Sequence, residues 1–150
     1  KINKDLKLIL TYTYTLYDKG VIQGLGENYG TIYANIGIAE IQYKINKINS
    51  VRVELQHLYT KQDMQSWAMG LVEYTISPHW FFAVFDEYNY GNDIAEDRLH
   101  YPNASMGYTK GANRISMGYG KQREGLLCVG GVCRNVPASN GFSLSVTSSF

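Results

Sequence analysis

Cys128 and Cys133 are the pair whose type and spacing could do chemistry, because four residues, Val-Gly-Gly-Val, separate them. Two thiols so placed can close a small-loop disulfide or give half of a metal site. The metal reading needs two further ligands, and His57, His79 and His100 are dispersed, none at a ligand spacing. The disulfide reading needs an oxidising compartment. Asp86 and Glu87 are adjacent, so on a strand they leave by opposite faces and make a poor acid/base pair. Gly24-Leu25-Gly26 and Gly118-Tyr119-Gly120 lack the strand-turn-helix setting of a phosphate loop. Asn103-Ala104-Ser105 matches a glycosylation acceptor at the start of a strand-like segment. The expectation is therefore no catalytic residue, no cofactor, no metal ligand and no enzyme.

The elements that must position these residues are strands. The chain has 150 residues with 45% hydrophobic content, 13 Tyr, 15 Gly and 3 Pro. No run approaches the roughly 18 apolar residues of a membrane helix. A net charge of +1 offers no electrostatic case for nucleic acid. Lys1 opens the chain without Met, as a mature form, a fragment or the ordered part of something longer would. Apolar and polar residues alternate with period two in eight segments, the pattern of strands with one apolar face.

The first segment, about Leu6 to Tyr17, sets Leu6, Leu8, Leu10, Tyr12, Tyr14 and Leu16 against Lys7, Thr11, Thr13 and Thr15. In the second, about Thr31 to Ile45, Ile32 to Ile38 share one parity and Ile41, Tyr43 and Ile45 the other, so a bulge is expected near Ala39-Glu40. The third sets Val51, Val53, Leu55, His57 and Tyr59 against Arg52, Glu54 and Gln56. The fourth, about Ser66 to Ser77, carries Val72 and Tyr74 outward and Glu73 inward. The fifth, about Trp80 to Tyr90, is aromatic on both parities and its facing is open. The sixth and seventh offer Ala104, Met106, Tyr108, Ile115, Met117 and Tyr119 against Ser and Gly.

The eighth segment ends the sequence. Phe142, Leu144 and Val146 alternate with Ser143, Ser145 and Thr147, and the last residue is Phe150. A strand that is greasy outside, polar inside and ends on Phe is how outer-membrane β-barrels finish. Short links (residues 46–49, 77–79 and 111–113) alternate with longer or more polar ones, as periplasmic turns alternate with external loops, although the link at 61–65 is short too. The chain's end then lies on the periplasmic side, where Tyr43, Trp80, Phe81, Phe82 and Phe150 would form an aromatic rim.

The second half resembles the carboxyl-terminal region of a family of Bacteroidota outer-membrane β-barrel proteins of unknown function, the DUF6029-type proteins. The resemblance rests on 54–62 (ELQHLYTKQ), 67–76 (WAMGLVEYTI), 88–92 (YNYGN), 120–125 (GKQREG), 128–133 (CVGGVC) and 137–141 (PASNG), continuing to Phe150. It covers roughly the last hundred residues. Members of that family are considerably longer, so the resemblance implies the last part of a larger barrel. It supplies no catalytic motif.

The expected fold is thus all-β, an antiparallel transmembrane β-barrel over residues 1–150, with about eight strands here and amino-terminal strands elsewhere. In that compartment a Cys128–Cys133 disulfide is expected, stiffening the external loop before the last strand. The inner face would carry Lys7, Arg52, Glu54, Gln56 and Arg114, while segments six to eight present small residues inward (Ser105, Gly107, Ser116, Gly118, Gly120, Ser143, Ser145, Ser149). An eight-stranded interior is only just filled by side chains, so such small residues imply a wider barrel or a segment packed inside. The expected role is a non-enzymatic scaffold or subunit of a cell-envelope complex. A pore or transporter for small solutes is the alternative, and a soluble β-sandwich binding module is the third reading. Expected partners are outer-membrane lipid, the barrel assembly machinery during insertion and other envelope proteins.

Overall fold

A computed structural model describes residues 4–18 and 30–149. Its strands are β1 (Leu6–Asp18), β2 (Thr31–Lys44), β3 (Asn49–Tyr59), β4 (Trp67–Ile76), β5 (Trp80–Tyr88), β6 (Asn103–Lys110), β7 (Asn113–Gln122), β8 (Gly125–Val129), β9 (Val132–Val136) and β10 (Ser139–Thr147). Eight form one sheet in the order β1-β2-β3-β4-β5-β6-β7-β10, and β8-β9 form a separate two-stranded sheet. Every pairing is antiparallel.

Register carries each face across the whole sheet, because directly paired residues point the same way. One row of paired positions runs Leu8, Ile41, Val53, Val72, Val84, Ala104, Tyr119 and Phe142, through all eight strands. The next parallel row runs Leu6, Tyr43, Val51, Tyr74, Phe82, Met106, Met117 and Leu144. Both rows are apolar or aromatic, and many of their members are exposed. Between them lies an inward row: Lys7, Gln42, Arg52, Glu73, Ala83, Ser105, Gly118 and Ser143. The large apolar surface is outside and the charge is inside.

The turns follow from their residues. Lys110 pairs with Asn113 across Gly111-Ala112, with Gly111 at φ 60°, the left-handed region. Between β2 and β3 the Asn46 side-chain oxygen accepts from the amides of Ile48 and Asn49, both at 2.8 Å.

Three expectations change. No bulge interrupts β2, whose pairing with β1 and β3 is continuous through Ala39 and Glu40. The parity slip instead marks an inner face that passes from Ile32, Ala34, Ile36 and Ile38 to Glu40, Gln42 and Lys44. β5 acquires a definite facing, with Phe81, Ala83 and Phe85 buried inside and Trp80, Phe82 and Val84 exposed outside. The stretch between β7 and β10 is no plain loop, because β8 and β9 fold back onto the concave face and place Val129 in a core with Leu71, Phe81, Ala83 and Phe85. The antiparallel all-β fold stands. The sheet is open, since among the described residues β1 and β10 do not pair with each other.

Candidate functional site

The site is the concave face and the hairpin seated on it. Cys128 and Cys133 are register partners in β8 and β9 and form a disulfide. They flank the turn Val129-Gly130-Gly131-Val132, in which Gly130 and Gly131 have φ of 61° and 74°. Both central residues in the left-handed region define a tight two-residue hairpin turn that glycine adopts without steric cost.

Charged side chains from both halves of the sheet meet the backbone of this tip. Arg52 of β3 donates from Nη2 to the Cys128 carbonyl at 2.9 Å. Arg114 of β7 donates to the carbonyls of Gly130 (Nη1, 2.8 Å) and Val129 (Nη2, 3.1 Å). The Gly130 amide donates to Glu73 Oε2 at 2.6 Å. Arg114 also lies over the Phe81 ring, 4.5 Å from its centroid. Phe81 in turn covers Gly107, where a Cβ would lie 2.3 Å from Phe81 Cε1. The small inner residues of β6 and β7 therefore make room for one aromatic ring and for the hairpin. A packed segment was one of the two readings that composition allowed.

Arg52 is the hub of the wall. Three carboxylates surround it: Glu54 at 2.5 Å, Glu40 at 3.3 Å and Glu73 at 3.5 Å. A fixed guanidinium with five donors can serve several carboxylates and a carbonyl together, which an ammonium does less well. Between this wall and the hairpin lies an open cleft of about 990 Å³, lined by Lys7, Glu40, Gln42, Gln56, Glu87 and Cys133 among others. Behind the hairpin, against Ser105, Ser116, Gly118, Ser143 and Ser145, a smaller space of about 210 Å³ remains. The cleft is open and lined by charged and polar side chains, so it can hold a hydrophilic solute.

Of the residues singled out from sequence, Phe142, Leu144 and Val146 face outward and are exposed. Phe150 lies outside the described residues, as does Gly24-Leu25-Gly26. Tyr43, Trp80 and Phe82 face outward near the short turns. Tyr108 joins them, its ring 4.8 Å from that of Trp80. Phe81 leaves this rim: alternation turns it inward between Trp80 and Phe82, where it is 5% exposed. Asn103 is buried and inward-facing, which removes the glycosylation reading.

The histidines stay apart. His57 stacks with Tyr90, His79 contacts the Thr109 carbonyl at 2.7 Å, and His100 pairs with Asp86 at 2.6 Å. Asp86 and Glu87 take opposite faces, as alternation requires. Among the described residues no cluster of three His, Cys, Asp or Glu side chains could hold a metal ion. Sequence reasoning missed the hairpin and its partner Glu73, although Gly-Gly between two short apolar runs is a hairpin signal.

The model of a family of unknown function, DUF6029, matches residues 1–150, so the chain belongs to that family, first fifty residues included. No curated protein and no solved structure matches it.

Proposed function

We propose that this member of the DUF6029 family is the wall of an outer-membrane β-barrel, a non-enzymatic scaffold of the cell envelope whose lumen is occupied by the β8–β9 hairpin. The observation that carries this is the inverted polarity of the sheet. Leu10, Tyr12, Tyr119, Phe142 and Val146 are each about 70% exposed on the outer face, while Arg52 and its carboxylates face inward. A contiguous apolar face of eight strands far exceeds the few hundred Å² that soluble monomers leave in water. In lipid the same face is satisfied. A β-sandwich would need a second sheet over it, and among the described residues the one extra sheet covers the polar side instead.

Strand length supports the same reading. β3, β4 and β7 have 11, 10 and 10 residues, as tilted membrane strands do. Tyr43, Trp80, Phe82 and Tyr108 supply a girdle at the turn end, which is periplasmic in such barrels. Tyr33 and Tyr59, half exposed near the opposite ends of β2 and β3, supply residues for the second. Among the described residues β1 and β10 do not pair with each other, and the proposed barrel is wider than these eight strands, because an eight-stranded interior holds little more than its own side chains and this sheet faces a hairpin and a large cleft. Lipid is the first partner, and the barrel assembly machinery the second during insertion.

Fractionation of cells making the full-length protein tests this. The protein should sediment with outer membrane, resist carbonate extraction and migrate faster on gels before boiling than after. Release by carbonate with no boiling shift would exclude a barrel.

A further inference from the structure

We infer that the β8–β9 hairpin is a detachable plug, and that the lumen it occupies is a gated passage for hydrophilic solutes. This rests on the barrel reading above and adds an activity to it. The hairpin forms its own sheet and does not extend the wall. Its tip is seated by side chains, with Arg52, Glu73 and Arg114 gripping the backbone of Cys128, Val129 and Gly130. Val129 is the apolar anchor in the core. Space remains on both sides, about 990 Å³ toward β1–β5 and about 210 Å³ toward β6, β7 and β10.

Withdrawal of the hairpin breaks no strand pairing of the wall. It joins the two spaces and uncovers Lys7, Arg52, Glu40, Glu54 and Glu73 on one half, Arg114 with Ser and Gly residues on the other, and the apolar Leu71, Phe81 and Phe85 between them. Both charge signs are present, so the passage takes hydrophilic solutes without strong selection by charge. The disulfide keeps the tip a compact unit that moves as one body.

Planar-bilayer recordings of the full-length protein in potassium chloride test the inference. Three forms are compared: wild type, a form with residues 126–135 replaced by a short Gly-Ser link, and Val129→Asp. Wild type should be largely closed, the replacement should raise steady conductance at least tenfold, and Val129→Asp should open more often than wild type. Variants that keep the boiling shift but conduct no more than wild type overturn the plug. So does a wild type that already conducts as the replacement does. If the replacement fails to assemble, Val129→Asp decides by the same criteria. Loss of the boiling shift in wild type itself overturns the barrel reading, and the plug with it.

Discussion

The Gly130 amide donates to Glu73 Oε2 at 2.6 Å, linking the tip of one hairpin to a wall strand 57 residues earlier in sequence. The same oxygen is 3.5 Å from Arg52 Nη2. One carboxylate therefore holds both the tip of the β8–β9 hairpin and Arg52.

Glu73→Ala should loosen the hairpin. A part-buried donor left without its acceptor costs about 1 kcal/mol, the low end for such groups, which corresponds to roughly 5-fold faster exchange. Hydrogen exchange should accelerate by that factor at Gly130 while amides in β6 and β7 keep their protection. Unchanged exchange at Gly130 would show that the contact does not hold the tip.

Gly130→Ala and Gly131→Ala should differ although the residues are neighbours. Both have left-handed φ, which costs a residue with a Cβ about 1–2 kcal/mol. A Cβ at Gly130 would also lie 2.5 Å from Arg114 Nη2 and 2.7 Å from Phe81, whereas at Gly131 nothing lies within 4 Å. Limited proteolysis of the hairpin should be fastest for Gly130→Ala, intermediate for Gly131→Ala and slowest for wild type. Equal rates for the two variants would contradict the Phe81 contact.

Replacing both Cys128 and Cys133 with Ser removes a short-loop cross-link worth about 2 kcal/mol by chain entropy. The hairpin is a sheet of its own, so the loss should stay local. Exchange in β8 and β9 should rise while the boiling-shift temperature of the wall changes little. A large fall in that temperature would mean that the hairpin supports the wall.

Much of this was legible from alternation. Where each strand packs against its sequence neighbours, as in β1 and β3, the polar and apolar parities alone assign the faces. β5 defeated that reading because Phe81 and Phe85 bury against Val129, a partner more than 40 residues away, so both parities are aromatic. β2 misled for a related reason: its inner face changes from Ile32 to Glu40 along one strand, which imitates a bulge. Arg52 and Arg114 could be placed inside by parity. Their shared target could not, because it depends on how the 125–136 hairpin folds back.

Val72→Arg and Gln56→Arg separate the two faces. Val72 lies outward in the apolar row, where a midplane arginine costs a barrel about 2–4 kcal/mol. Gln56 faces the wide cleft, where a long cation has water and carboxylates. Urea titration of the boiling-shifted form should show a large loss for Val72→Arg and a small one for Gln56→Arg. Equal tolerance would argue for water on both faces.

Lipid contact at Val84 tests the central claim most directly. Within residues 1–150 no free cysteine competes for label, since Cys128 and Cys133 are bonded to each other. A fluorophore on Val84→Cys, in full-length protein reconstituted into vesicles containing brominated lipid, should be strongly quenched, and the same fluorophore on Gln56→Cys should not. Equal, weak quenching at both positions would contradict a membrane-facing outer surface.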